Sequence, residues 1–530
     1  MKRMMAISLL SLGITSHAAQ EADQSLQQQV LELRQQTHAL QTQIAQLKHK
    51  DGSRTHSKQK KKHRRKASSV PSATALRPKQ NMIPSMQYND TPVSVHTARD
   101  IGPESADFYP TALVAEGKVL TYIAGTPVIS SPYLGSRPAF DGSDYIVNIS
   151  SINRDIRLMQ QRRSLERAYT KLGYPKPDRP IIALSGAVIP FGSIGRLYFG
   201  EANADWNLGS DELDMAAVLN KNVEAYMALA YNAARPTQGG PRVTNSSMNL
   251  NLGFVNIGDL DSTPWYGTFG QLYVPFGRYS TSMISATLPM MLTRIKSRPF
   301  ILGYKSQIDT GPFAAIYGYR GDTTLGSSAV GGVNVGYMLD LFHATTEIGG
   351  SFVSSVNDAS GMQTSGASPG EFGGFGSVTN GSENVHKVPA AGAHLSTSFE
   401  RYSLTVEWVT TTQAFNVNDL SFNGKGAQPQ AFQLEGGITF DSFNRPSSVA
   451  AAWQWSTQAL ALNLPRQRFD AVYNISIWKD TVESLEYRHD IDYSNTSYAN
   501  GAAPTGVVNT NTVGSGSSAD TVMLQIAAYF

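Results

Sequence analysis

The densest run of chemically capable side chains lies between residues 484 and 493, where Glu486, Arg488, Asp490 and Asp492 alternate with Leu485, Tyr487, Ile491 and Tyr493. Charges two residues apart share one face of a strand. The four therefore predict a ladder of ion pairs that can double as a polar track for a solute. His489 beside Asp490 invites an acid–base reading, but adjacent strand residues point to opposite faces and cannot pair. His489 is expected at the lipid face or the membrane interface. No HExxH, P-loop or helix-opening GxGxxG occurs. The chain contains no cysteine, which removes thiolate catalysis, disulfides and thiolate metal sites. His49, His56 and His63 recur every seven residues inside a basic run, and read as incidental rather than as ligands. The expectation is a non-enzyme with no cofactor and no metal.

The elements that would carry such a ladder have a period of two. Leu404, Val406 and Trp408 alternate with Ser403, Thr405 and Glu407. Phe432, Leu434, Ile438 and Phe440 alternate with Gln433, Glu435 and Thr439. Phe469, Ala471, Tyr473, Ile475 and Ile477 alternate with Arg468, Asp470, Asn474 and Ser476. Such strands fit a membrane barrel, apolar outward and polar inward, and also a soluble sandwich. Two features favour the barrel. The chain ends on an aromatic, Phe530, with Val522, Leu524, Ile526 and Ala528 on the same face, the pattern of an outer-membrane assembly signal. Connections also alternate: short at 220–222, 307–310, 339–342, 400–401, 441–445 and 479–481, longer at 234–246, 277–298, 321–328, 356–388, 414–428, 458–466 and 494–519. This predicts an all-β transmembrane barrel over 180–530 with about sixteen antiparallel strands. One strand is placed between 181 and 206, where Pro190 and Gly192 blur the pattern, and eighteen strands are the alternative.

Residues 1–18 read as a signal peptide, with Lys2 and Arg3 before the apolar stretch Met4–Thr15 and small residues at Ser16 and Ala18. Residues 19–50 carry a heptad, Leu26, Val30, Leu33, Thr37, Leu40, Ile44 and Leu47, which predicts a coiled coil and self-association as dimer or trimer. Residues 48–66 hold ten Lys or Arg against one Asp, a local charge of +9, leaving 34 basic against 40 acidic residues elsewhere. The chain is thus mildly acidic with one basic patch, and no nucleic-acid partner is expected. In an exported chain that patch suits cell-wall carboxylates or anionic lipid, or serves as a solvated tether. Residues 51–80 read as a basic disordered linker and 81–179 as a periplasmic, Pro-rich and helical region. Within it 154–172 look helical and end at Gly173 and Pro175. Heptad, charge run and Pro-rich stretch do not compose a compact plug.

Two segments of this region carry a family likeness: Gly125-Thr126-Pro127-Val128-Ile129-Ser130-Ser131-Pro132-Tyr133-Leu134-Gly135, and Asp144-Tyr145-Ile146-Val147-Asn148-Ile149 followed by Ile152-Asn153-Arg154-Asp155-Ile156-Arg157-Leu158. With the coiled-coil arm and the barrel, they resemble the LbtU-like outer-membrane receptors, the legiobactin siderophore receptor type related to the FslE/FupA iron-uptake proteins. The resemblance implies TonB-independent uptake of a ferric polycarboxylate siderophore across a Gram-negative outer membrane. An anionic complex needs positive charge along its path. The candidates are Arg278, Arg294, Lys296 and Arg298 in the 277–298 loop, and Arg320, Arg468 and Arg488 on or beside strands. The same barrel also fits a general or anion-preferring porin, or an envelope-tethering structural protein.

Overall fold

The period-two runs form strands that pair edge to edge until the sheet meets itself. The structure, a computed structural model, describes residues 119–123, 126–130, 139–140, 146–147, 152–171 and 180–530, with gaps at 209–210, 233–246, 309, 323–326, 342–343, 367–384, 400, 479–480 and 500–512. The expected signal peptide, coiled coil and basic linker lie outside the described residues. Ahead of the wall come β1 (Val119–Ile123), β2 (Thr126–Ser130), β3 (Ala139–Phe140), β4 (Ile146–Val147) and helix α1 (Arg154–Lys171). The wall begins with β5 (Ile181–Val188), β6 (Phe191–Arg196), β7 (Ala202–Asn207), β8 (Glu212–Asn220), β9 (Val223–Asn232), β10 (Ser247–Ile257) and β11 (Trp265–Tyr273). After helix α2 (Leu288–Thr293) follow β12 (Lys296–Ser297), β13 (Phe300–Lys305), β14 (Gly311–Arg320), β15 (Ala329–Leu341) and β16 (Ala344–Val353). Helix α3 (Ser360–Gly366) precedes β17 (Ala390–Phe399) and β18 (Tyr402–Thr411); β19 (Ser421–Phe422) and β20 (Lys425–Gly426) make a small hairpin in the next connection. The wall ends with β21 (Gln430–Ser442), β22 (Arg445–Thr457), β23 (Gln467–Ile475), β24 (Thr481–Ile491) and β25 (Ser518–Tyr529).

Register reduces these to sixteen staves. β5 and β6 are one stave bent at Ile189–Pro190, since Ala528↔Val188 and Gln525↔Phe191 keep a single register against β25. Proline lacks the N–H for the ladder, but the Pro190 carbonyl still accepts from Ile526 at 3.1 Å. β7 and β8 form the second stave, facing β6 and β5. The single strand expected within 181–206 is thus the whole first stave plus the start of the second. β12 and β13 continue one another against β11. The remaining staves pair antiparallel with their neighbours in chain order, and β25 returns to β5 and β6 to close the barrel.

The wall is inverted relative to a soluble protein. Glu407, Gln433 and Glu486 point inward and are buried, while Trp408, Phe469, Leu485 and Tyr487 point outward and are exposed. Among the described residues no helix is long and apolar enough to cross a membrane. Asp490 and His489 do separate, Asp490 to Arg468 inside and His489 to Asp520 outside, at 2.7 Å each. The ladder stops at Asp490. Beyond the strand Asp492 Oδ2 accepts the Ser515 N–H at 2.8 Å, and Tyr493 turns inward to bond Ser456 Oγ at 2.8 Å.

Candidate functional site: two inserts in the barrel lumen

The connection from β11 to β12 folds into the barrel and crosses it. It is rich in small polar residues (Ser280, Thr281, Ser282, Ser285, Thr287), which let its peptide groups approach the wall. Gly277 starts the inward turn at φ 71°, where a Cβ would sit 2.4 Å from the Tyr279 ring. Three inward carboxylates then grip the loop. Glu407 accepts the N–H groups of Arg278 at 2.6 Å and Tyr279 at 2.8 Å. Glu435 accepts the Ser282 N–H at 2.7 Å and the Thr281 hydroxyl at 2.6 Å. Glu486 accepts from the N–H groups of Ile284 and Ser285. Further along, Gln454 Oε1 takes the Leu288 N–H at 2.7 Å, and α2 opens on Thr287, whose hydroxyl accepts from the Met290 N–H at 3.2 Å. Five of the carboxylate bonds take peptide N–H groups, so the loop is fixed largely by its backbone rather than by side-chain identity. Burial raises the Tyr279 hydroxyl well above its ordinary range, and its O–H pairs with Thr293 Oγ1 at 2.9 Å.

Of the seven expected path cations, Arg278 lies on this loop and Arg468 and Arg488 face it. Arg278 is buried, its Nε 3.6 Å from Glu347, whose other oxygen meets His394 Nε2 at 2.9 Å. Arg468 holds Asp490 through Nε at 2.7 Å and Nη2 at 3.2 Å, and donates to the Ala286 carbonyl at 3.1 Å. Arg488 shares Asp490 at 3.2 Å and donates to Ser285 Oγ at 3.1 Å, with its side chain 25% exposed. These cations brace the loop against the wall. The other four are not in the lumen. Lys296 and Arg298 alternate with the buried Ile295 and share the outward face of Phe300 and Leu302. Arg294 lies over the Tyr273 ring at 4.4 Å, and Arg320 alternates with the buried Tyr319. The loop prediction placed 294–298 too high, because this stretch already belongs to the wall.

The second insert is α1. The helix expected over 154–172 forms and docks inside the barrel, in a region whose heptad, charge run and Pro-rich stretch do not compose a compact plug. Residues 152–160 are buried. Asn153 adopts φ 55° and its carbonyl accepts the Arg157 N–H at 3.1 Å, starting the helix. Arg154 reaches a buried acidic group on β8, 3.6 Å from Glu212 and 3.8 Å from Asp214, and donates to the Tyr226 hydroxyl at 2.6 Å. The Asp155 carbonyl accepts from Asn256 Nδ2 at 3.1 Å, and the same amide holds Glu224 at 2.8 Å. Arg162 pairs with Glu224 at 3.0 Å and donates to the Gly258 carbonyl at 3.1 Å, while Arg163 donates to the Gln307 carbonyl at 3.0 Å. Gly258 and Gln307 belong to short connections, so α1 occupies the short-turn end. Burial pushes the Asp155 carboxyl up to about 6. The signal for this docking was the basic helix itself, whose arginines match inward carboxylates at 212, 214 and 224.

The anion-selective porin from Comamonas acidovorans aligns with a TM-score of 0.43 and 12% identity, over 66% of this chain and 100% of that one. The outer membrane channel DcaP of Acinetobacter baumannii aligns at 0.41 and 12%, over 66% and 97%. No family model matches the sequence. A UPF0422 protein of Legionella pneumophila (strain Philadelphia 1) is 58% identical over 480 residues, 90% of each chain. One of strain Paris is 61% identical over 447 residues, 84% of each. The UPF0422 protein of Coxiella burnetii is 35% identical over 379 residues, 71% of this chain and 78% of its own. The names of these relatives mention neither iron nor siderophore, so the LbtU-like resemblance stands on its two quoted segments. With identities of this order along most of its length, the chain belongs to the UPF0422 family.

Proposed function

We propose that the chain is an outer-membrane channel, narrowed by the 274–295 loop and stoppered at rest by α1, that admits a ferric polycarboxylate siderophore without the TonB machinery. The observation that carries the channel reading is the closed sixteen-stave wall, apolar outside and polar inside, with two inserts held by polar bonds. A closed barrel satisfies every backbone group within lipid. The short connections then face the periplasm and the N-terminal arm lies there. The stopper favours a gated receptor over a permanently open pore. The cargo rests on the resemblance of residues 125–135 and 144–158. Radiolabelled ferric siderophore uptake in a deletion strain tests it: uptake is lost and returns with the intact gene. Normal uptake in the deletion sinks the receptor reading. Free passage of unrelated sugars and anions through the purified barrel, with no chelate bound, makes it a general porin instead.

A further inference from the structure

The four cations absent from the lumen form a group of their own. The Val274 N–H donates to the Ile295 carbonyl at 3.0 Å, so the β11–β12 pairing continues to residue 295. Ile295 points inward and is 1% exposed, whereas Phe300 points outward and is 62% exposed. Arg294, Lys296 and Arg298 therefore occupy successive outward positions at the long-loop rim. On the next stave Arg320 shares the outward face with Ile316, which is 58% exposed. The register Phe300↔Gly318, continued by two residues, sets Arg298 opposite Arg320.

Their partners are neutral. Arg294 stacks on Tyr273, Lys296 Nζ donates to Asn251 Oδ1 at 3.1 Å, and Arg298 Nε donates to Gln271 Oε1 at 3.3 Å. Among the described residues none of the four has a carboxylate within 4.0 Å. Elsewhere on the outer wall His489 is matched by Asp520 at 2.7 Å. Like charges placed side by side repel, and among the described residues no carboxylate pairs with them. Directly toward the barrel middle lie Phe300, Leu302 and Ile316, an apolar ledge.

We propose that this cluster binds the phosphate headgroup of a lipid whose acyl chains lie on Phe300, Leu302 and Ile316. The inference rests on the outer-membrane reading above. Guanidinium groups bind phosphate oxygens in a fork, and the ledge distinguishes a lipid from a free anion. A basic residue near an anionic membrane surface contributes on the order of tenfold in affinity at most.

Full-length protein in detergent would be mixed with micelles containing phosphatidylglycerol or lipid A, and with phosphatidylcholine micelles, and retained lipid read by native mass spectrometry. Wild type retains the phosphate-bearing anionic lipids over phosphatidylcholine. The Lys296→Gln, Arg298→Gln, Arg320→Gln variant loses that retention by roughly tenfold to hundredfold. A control with Lys221, Arg401 and Lys425 changed to Gln loses equal charge elsewhere and keeps the lipid. Equal retention by wild type and the first variant overturns the proposal. Displacement of the lipid by millimolar inorganic phosphate also overturns it, marking a free-anion site. Heat-modifiable migration verifies that each variant is folded. Conductance in vesicles separates the two readings: failure of the wild type to insert or conduct sinks the channel, whatever lipid is retained.

Discussion

Gly186 and Phe530 exchange both backbone hydrogen bonds, Gly186 N–H to Phe530 O at 2.6 Å and Phe530 N–H to Gly186 O at 2.9 Å. The Phe530 ring lies over the hydrogen of Gly186, where a Cβ would come within 2.6 Å of Cζ. The last residue is thus the final rung of the seam. Deleting Phe530 removes both hydrogen bonds of that rung and exposes a strand edge. Outer-membrane levels of heat-modifiable protein are expected to fall severalfold while export continues. Gly186→Val should give a milder loss by displacing the ring. Normal amounts of protease-resistant barrel in the deletion would count against Phe530 as an assembly signal.

Neutralising the loop's grip should change conduction more than folding. The Glu407→Ala, Glu435→Ala double variant strips the acceptors from three backbone N–H groups and one hydroxyl, each worth about 1.5–3 kcal/mol when bonded to a charge. The loop then loosens while the wall ladder is untouched. Single-channel recordings should show larger, noisier conductance than wild type. An unchanged trace would mean that the remaining contacts, from Glu486, Gln454, Arg468 and Arg488, suffice to hold the loop.

Arg154→Leu leaves Glu212 and Asp214 buried beside each other without their cation. Breaking a buried pair in this way costs about 3–5 kcal/mol. Helix docking should weaken, seen as a higher open fraction in vesicles and faster proteolysis within 154–171. The double variant Arg154→Leu, Asp214→Asn should recover part of the loss. If the single variant conducts like wild type, the helix is not the stopper.

Asp155 gives the docked helix a pH dependence. Burial raises its carboxyl from 3.8 to about 6, so the docked state binds the proton more tightly than the undocked one. Docking is then fully supported below about pH 4, weakens through pH 4–6, and has lost this contribution above it. Open probability should rise between about pH 4 and 6, and Asp155→Asn should flatten that rise. A wild-type profile that is flat, or falls with pH, would contradict this assignment.

The inside–outside assignment was legible wherever polar and apolar residues strictly alternate, as at 403–408, 432–440 and 468–477. A lipid-facing wall leaves no third option for a side chain there. The first stave was blurred because Pro190 interrupts the ladder without ending the strand. The inserted loop had a weaker signal, since Glu407, Glu435 and Glu486 read as ordinary lumen charges until a backbone arrived to use them. Arg294, Lys296 and Arg298 were misplaced by a boundary error. Their own spacing of two was already a strand signal, and it points the same way as Phe300. The docking of α1 was hidden because its partners lie up to 144 residues later in the chain.

The first stave is longer than the strand that closes against it. β25 ends at Gly186, and the free edge of β5 below it is taken by β2, parallel, with Val128↔Ile182 and Ser130↔Leu184. The stopper helix thus sits in a stretch of chain clamped at both ends to the same strand. That stretch leads from the β2 clasp back into β5 itself, so opening the clasp would free one end of the helix's segment and leave the other bonded to the wall. Tension arriving through the chain ahead of β2 would load that clasp before the helix, so it would act on the seam first and on the passage second.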